Sequence, residues 1–171
     1  MISIVKATID DFKLLADIGK ETFIEFHGEC AERSDVDTYV NETYSYKLFH
    51  EELSNVNNIY HIIYHGVQPA GYSKIIMNSP HPNIQVQNVT KLERLYLLKD
   101  FYKLRSGLKL FNFNVELSKK NNQSGIWLFV WKENHRAVSF YIQNGFKIIG
   151  NYDFKITETH SNPNHQMFLK Y

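Results

Sequence analysis

The chain is poor in the features that mark secreted and membrane-spanning proteins. Its single cysteine, Cys30, cannot form a disulfide within one copy and suits a reducing compartment. No run approaches the roughly 20 apolar residues that a membrane span needs. The N-terminus has neither the basic start nor the apolar stretch of a signal peptide. We therefore expect a cytoplasmic protein with no membrane partner.

An excess of charge of either sign is also lacking. The formal net charge is +1, which argues against a general nucleic-acid binder. The chain has no repeat, low-complexity tract or linker, and its 43% hydrophobic and 15% aromatic residues are typical of a globular protein. Because 171 residues suffice for one domain with a proper core, we expect a single domain over 1–171.

Apolar residues recur along the chain at the spacing typical of strands in some segments and of helices in others. Runs rich in β-formers predict strands at 1–7, 58–64, 71–77, 91–98, 126–130, 146–154 and about 166–169. Helical spacing predicts a first helix over 12–26, a second that opens near 34, a third over about 46–53, and later helices over 107–119 and between 134 and 144. Periodicity alone therefore indicates one domain of mixed α and β structure.

The most informative block is 134–146, which reads N-H-R-A-V-S-F-Y-I-Q-N-G-F. Asn134 is a favourable helix N-cap, and the pair Asn144-Gly145 is the stop signal expected of a left-handed C-cap. Apolar residues at 137, 140 and 141 recur at helical spacing. The block predicts a short helix with one face that is buried or lines a cleft.

A second block, 92–108, reads L-E-R-L-Y-L-L-K-D-F-Y-K-L-R-S-G-L. An apolar strand runs into a loop that opens a helix, and the unpaired N–H groups of a helix N-terminus attract anions. From Lys91 to Lys120, eight basic residues stand against three acidic ones. Taken alone, this pattern is more typical of a solvated, mildly basic helix end.

Together, and in this order, the two blocks resemble the GNAT superfamily of acyl-CoA-dependent N-acetyltransferases. The resemblance implies an α/β (α+β) single-domain fold with a mixed, mostly antiparallel twisted sheet of about seven strands. Helices flank this sheet, which is splayed at the acyl-CoA site. It also implies acetyl-CoA as cosubstrate and no metal. The residues that it assigns to cosubstrate binding are Leu95, Tyr96, Leu97, Lys103, Leu104, Arg105, Ser106, Gly107, Leu108 and Asn134.

In this resemblance the backbone of Leu95 to Leu97 pairs with the pantetheine arm, which Asn134 also holds through its amide. The pyrophosphate lies at 103–108. The family has the pattern Gln/Arg-x-x-Gly-x-Gly/Ala in this loop, whereas Tyr102 replaces the Gln or Arg here and Arg105 replaces the first glycine. Arg105 cannot adopt a positive φ as easily as glycine does, although it adds positive charge where pyrophosphate would lie.

Two residues are candidates for the chemistry of acetyl transfer. The family places a tyrosine beside the thioester sulfur, and Tyr141 matches it. A phenol with a pKa of about 10 can protonate a leaving thiolate, although Tyr141 can also be a plain core aromatic. Glu93 interrupts an apolar strand and is the candidate general base; the alternative is a salt bridge with Arg94 or another cation. Strict alternation along a strand makes Arg94 a poor partner.

Histidines at 61, 65, 160 and 165 lie at spacings that could suggest a metal site, but no motif joins them. We expect them to be surface or loop residues and expect no metal.

The acceptor is suggested by an acidic stretch. Nine acidic residues stand against two basic ones between Glu21 and Glu52, and an acidic wall suits a cationic amine. Segments such as E-T-F-I-E-F, L-F-H-E-E-L and L-E-R-L-Y-L resemble the bacterial spermidine/spermine N-acetyltransferases of the PaiA type. The resemblance implies a polyamine acceptor, for which Glu25, Glu29 and Glu32 are the candidate contacts.

Alternatives to a polyamine N-acetyltransferase stay open at this point. One is an enzyme that acetylates a protein N-terminus or a lysine. Another is an acyl-CoA-binding regulator whose altered pyrophosphate loop binds without turnover. The expected partner is a small-molecule amine rather than nucleic acid, and the sequence leaves open whether the protein is a monomer or a homodimer.

Overall fold

In the computed structural model, which describes residues 1–27, 33–155 and 161–171, the chain forms one seven-stranded sheet with order β1-β2-β3-β4-β5-β7-β6. The strands are β1 (Ile2–Lys6), β2 (Asn58–His65), β3 (Gln68–Ile76), β4 (Val89–Leu97), β5 (Gly125–Trp131), β6 (Lys147–Lys155) and β7 (Ser161–Lys170). The helices are α1 (Phe12–His27), α2 (Arg33–Thr43), α3 (Tyr46–Ser54), α4 (Ser106–Lys120) and α5 (His135–Gln143). Short 3-10 helices cover Ile9–Asp11 and Lys99–Leu104.

The chain divides into two compact units. The first contains Met1–Ile75 and Arg94–Asn114, and the second contains Ile76–Glu93 and Val115–Tyr171. The division passes through β4 and α4. The sequence-based expectation of one domain over 1–171 stays a prediction.

An aromatic core holds the first unit together. It joins α1, α2 and α3 to β2 and β3. Phe49 of α3 lies within 6.3 Å, ring centre to ring centre, of Tyr44, Tyr60 and Tyr72. Fully burying one such side chain stabilises a fold by roughly 2–3 kcal/mol, and each aromatic pair adds about 1 kcal/mol. This core therefore fixes the three helices against the strands.

Three charged side chains lie largely buried beside this core, with the side chain of Lys74 5% exposed, that of Arg94 11% and that of Glu52 16%. The Glu52 carboxylate accepts two hydrogen bonds from the Arg94 guanidinium, both at 3.1 Å, and lies 2.9 Å from the Lys74 ammonium. The Tyr60 hydroxyl donates to the same carboxylate and accepts from Arg94 at 2.8 Å. Burial alone would raise the pKa of Glu52, but Arg94, Tyr60 and Lys74 together hold it below its usual value. The cluster ties α3 to β3 and β4.

The second unit is organised around β5. This strand pairs in parallel with β4 over Val89 to Lys91 and antiparallel with β7 along its whole length. Strand β7 also pairs antiparallel with β6, which has a register shift between Ile148 and Gly150. The longer pairings are antiparallel, as the family resemblance implies.

Strand β7 is longer than the sequence predicted, since it begins at Ser161 rather than near 166. The residues that were missed read S-N-P-N-H, which are poor β-formers and include a proline. Pairing on both sides overrides this propensity: Asn164 lies opposite Trp131 of β5 and Tyr152 of β6.

His61 is a buried histidine, so the expectation of a surface or loop position was wrong for it. Strand β2 is buried on both faces in its middle, and only 5% of His61 is exposed. The ring lies 4.7 Å from that of Phe113, and Lys6 is its register partner on β1. Burial, and secondarily the charge of Lys6, lowers the pKa of His61 from 6.5 to about 4.

This shift predicts a pH dependence of stability. Because unfolded His61 binds a proton more readily than the folded one, the free energy of unfolding should decrease as the pH falls from 6.5 towards 4. Over the same pH range, the free energy of unfolding of the His61→Leu variant should decrease by about 1–3 kcal/mol less than that of the wild type. Urea unfolding followed by circular dichroism at several pH values measures it, with exposed His50→Leu as control. Identical pH profiles for wild type and His61→Leu would contradict the assignment.

Candidate active site

The end of β4 carries the residues assigned to the pantetheine arm. Parallel pairing with β5 covers Val89 to Lys91, while β4 continues to Leu97. Leu95 and Leu97 pack against a cluster that contains Leu110 of α4, whereas the ring of Tyr96 lies 5.6 Å from that of Tyr72. Leu95 to Leu97 thus lie beyond the residues of β4 that pair with β5, while β3 neighbours β4 on its other edge.

Glu93 is paired with a cation. Its Oε2 lies 3.2 Å from the Lys91 ammonium, and both side chains are about a quarter exposed. Arg94 is instead engaged with Glu52. Of the salt-bridge alternatives, the structure therefore supports a cation other than Arg94. The role of Glu93 as base stays a prediction.

The predicted pyrophosphate loop is a 3-10 helix that ends in a left-handed residue. Lys103 and Leu104 close the 3-10 helix, which the sequence did not predict. Arg105 follows with φ 56° and ψ 20°, and α4 begins at Ser106. The chain thus adopts at Arg105 the backbone conformation for which glycine is best suited, with a cationic side chain instead.

Two contacts fix the start of α4. Ser106 is fully buried, and its hydroxyl lies 2.7 Å from His65 Nε2 at the end of β2. A Cβ on Gly107 would lie 3.1 Å from the Leu97 side chain, so glycine lets the helix approach β4 closely. Sequence reasoning missed His65 because 41 residues separate it from Ser106.

The electrostatics of this helix start favour an anion. Lys103, Arg105 and Lys109 are all exposed around the first turn of α4. The N–H groups of that turn carry the positive end of the helix dipole. One protein anion already binds in this region, since the Glu25 carboxylate accepts a hydrogen bond of 2.9 Å from the backbone N–H of Lys99.

Helix α5 has the boundaries that the sequence predicted. The Asn134 side chain accepts a hydrogen bond of 3.1 Å from the N–H of Ala137 and so caps the helix. At the other end Gly145 has φ 91°, and the N–H of Phe146 bonds to the Tyr141 carbonyl at 3.0 Å. Both cap predictions are confirmed.

Tyr141 lies on the buried face of α5. The residue is 8% exposed, and its ring lies 5.3 Å from the rings of both Phe140 and Phe146. These contacts fix the ring, which agrees with a core aromatic as well as with a positioned proton donor. Its catalytic role stays a prediction.

Of the acceptor candidates, only Glu25 lies within the described residues. Its carboxylate holds Lys99, as described above. Glu29 and Glu32 fall at positions outside the described ranges, and so does Cys30.

Histidines 61, 65 and 165 occur on strands, while His160 lies outside the described ranges. Over 1–27, 33–155 and 161–171, no group of three or more His, Cys, Asp or Glu side chains could hold a metal ion. Within the same residues, no helix combines the length and apolar character required to cross a bilayer.

Comparisons with known proteins bear on this arrangement. The model of the acetyltransferase (GNAT) family matches residues 21–146. An uncharacterized N-acetyltransferase in the pepI 3' region of Lactobacillus delbrueckii subsp. lactis is 26% identical over 144 residues, covering 84% of this chain and 83% of that protein. Spermidine N(1)-acetyltransferase of Thermoplasma acidophilum is 26% identical over 148 residues, covering 86% of this chain and 89% of that protein.

A solved structure confirms the predicted fold. The crystal structure of PaiA N-acetyltransferase from Thermoplasma acidophilum in complex with coenzyme A matches with a TM-score of 0.78 at 22% identity, covering 100% of this chain and 99% of that chain. The mixed, mostly antiparallel seven-stranded sheet flanked by helices is therefore correct. Since the family model covers well over half of the sequence, the chain belongs to the acetyltransferase (GNAT) family, whose members take their acetyl group from acetyl-CoA.

Proposed function

We propose that this acyl-CoA-dependent acetyltransferase transfers the acetyl group to a primary amine, with a polyamine such as spermidine as the favoured acceptor. The observation that carries the proposal is the pairing of two local structures on one chain. One is the cationic start of α4 behind the Leu95 to Leu97 strand, and the other is the Asn134-capped helix with Tyr141 buried on it. The acidic stretch of the sequence and the likeness to a spermidine acetyltransferase support the acceptor class.

In this proposal the amine nitrogen attacks the thioester carbonyl carbon, and the carbon–sulfur bond breaks as the amide forms. The amine reacts in its neutral form, having given its extra proton to solvent, and Glu93 accepts the proton that the nitrogen loses on amide formation and then releases it to solvent. The Tyr141 hydroxyl gives its proton to the departing sulfur and regains one from solvent. The products are the N-acetylated amine and the free thiol of coenzyme A. Asn134 and the backbone of Leu95 to Leu97 hold the pantetheine arm.

The phosphates of acetyl-CoA bind at 103–108 in this proposal. Exposed Lys103, Arg105 and Lys109 supply charge, and the N–H groups of the first turn of α4 supply hydrogen bonds. Arg105 replaces a glycine of the family pattern but keeps a glycine-like backbone, so the substitution leaves the helix start in place and adds a cation.

The charge at this loop can be tested directly. Removing both positive charges with Lys103→Gln and Lys109→Gln should weaken acetyl-CoA binding, since each exposed charge contributes about 1 kcal/mol, or about fivefold in Kd. Calorimetric titration at low and high salt measures the loss, and high salt should reduce the difference. Lys120→Gln, at the other end of α4, is the matched control. Equal affinities for the double variant and the control would place the phosphates elsewhere.

Tyr141→Phe tests the proton donor. The ring contacts with Phe140 and Phe146 persist in this variant, and only the hydroxyl is lost, so acetyl-CoA affinity should stay within about twofold. The rate of acetyl transfer should fall by about 10²-fold, the lower end of what proton transfer contributes. Single-turnover kinetics isolates the chemical step. An unchanged single-turnover rate would make Tyr141 a core aromatic only.

The acceptor class is tested with Glu29→Gln and Glu32→Gln. If these carboxylates attract the distal ammonium groups of a polyamine, the double variant should raise KM for spermidine about tenfold at low salt and leave KM for propylamine nearly unchanged. Initial rates by mass spectrometry compare the two amines. Exposed Glu116→Gln is the control. Acetylation of peptide amines in preference to both amines would instead favour a protein N-acetyltransferase.

A further inference from the structure

An aromatic strip crosses the sheet of the second unit. It consists of Trp127 and Phe129 on β5 and Tyr152 on β6. The Trp127 and Phe129 rings meet edge to face at 5.4 Å, and Phe129 stacks on Tyr152 at 4.7 Å. Trp127 is 3% exposed, whereas Tyr152 is 48% exposed at the outer strand. The strip thus runs from the interior of the unit to its surface.

The buried end of the strip holds a cation. The Lys91 ammonium lies 5.4 Å from the centre of the Trp127 ring and 3.2 Å from the Glu93 carboxylate. An ammonium is attracted both by the face of an indole ring and by a carboxylate. The structure therefore contains a site that fits an alkylammonium group, with a protein side chain bound in it.

The lysine side chain has the chemistry of the proposed acceptor. It is a flexible chain of four methylene groups that ends in a primary ammonium, as is one arm of spermidine. Glu93, the candidate base, contacts this nitrogen. An acceptor amine placed where the Lys91 ammonium lies would be in reach of Glu93 Oε2 for transfer of its proton.

We propose that Lys91 stands in for the acceptor in the ligand-free protein, and that the aromatic strip binds the non-reacting arm of an alkyl polyamine that displaces it. This inference rests on the proposed function, since it takes Glu93 as the base. The reacting nitrogen lies beside Glu93, the methylene groups lie on Phe129, and a distal ammonium lies over Tyr152. Ring faces suit such a ligand because they are apolar towards methylene groups and attractive to ammonium groups.

The strip is tested by removing its rings one at a time. Tyr152→Leu should raise KM for spermidine by about threefold to tenfold, the value of one cation–π contact, with kcat unchanged. Phe129→Leu, which removes the flat ring face on which the methylene groups lie, should raise KM by about threefold with kcat unchanged. Tyr152→Phe keeps a ring and should stay within about twofold of wild type. Methylamine, which has no arm to place on the strip, should show no change. Ile148→Ala, which removes an equally exposed apolar side chain of β6, is the control.

The Lys91→Met variant tests whether Lys91 occupies the position of the acceptor amine. This variant keeps an unbranched side chain one heavy atom shorter and removes the charge, so spermidine no longer competes with an internal ammonium. We expect KM for spermidine to fall by about threefold or more, whereas loss of a merely structural lysine would leave it unchanged or raise it.

A binding measurement separates this inference from the proposed function. In a Trp131→Phe background, Trp127 is the sole tryptophan. Spermidine should change the fluorescence of Trp127, and the spermidine concentration needed for this change should be lower when Lys91→Met is added. Saturable quenching of Trp127 fluorescence by spermidine, without acetylation of any amine, would support binding of spermidine at the strip and would overturn the proposed function. If spermidine is acetylated but its KM is unaffected in Phe129→Leu and Tyr152→Leu, the strip does not bind the acceptor, and the proposed function as an acetyltransferase of spermidine still holds.

Discussion

One largely buried carboxylate shared by two largely buried cations holds the first unit in its shape. Glu52 joins α3 to Lys74 of β3 and Arg94 of β4, and the side chain of Lys74 is only 5% exposed. Removing one partner from such a cluster leaves an uncompensated charge in the interior, which typically costs about 3–5 kcal/mol. Arg94 directly precedes Leu95 to Leu97. The cluster therefore sets the position of the strand on which the cosubstrate proposal depends.

Carboxylates in this chain have more specific roles than its composition suggested. The acidic stretch of the sequence indicated a wall that attracts a cationic substrate. Yet Glu52 neutralises buried cations, and Glu25 binds the first N–H of the 3-10 helix Lys99–Leu104. Glu93 holds the ammonium of Lys91. Attraction for the acceptor thus depends on individual positions rather than on the net charge of a segment.

Local chemistry explains what could be predicted from the sequence. The ends of α5 follow from Asn134 and Gly145, because a cap is made within one turn of its own residues. The 3-10 helix after β4 and the polar start of β7 were missed, since tertiary pairing overrides weak propensity there. Contacts between distant residues, such as Ser106 with His65, leave no trace in spacing. The family resemblance supplied the fold, but not the ion pairs of Glu52 with Lys74 and Arg94.

The left-handed backbone at Arg105 has a consequence for how this protein could change. A non-glycine residue in that conformation costs about 1 kcal/mol, so glycine there would favour the folded state. The same replacement would remove a cation from the helix start. If the phosphates bind at 103–108 as proposed, selection for heat resistance and selection for tight cosubstrate binding would act on this one codon in opposite directions, and variants recovered at high temperature should be enriched in glycine at position 105.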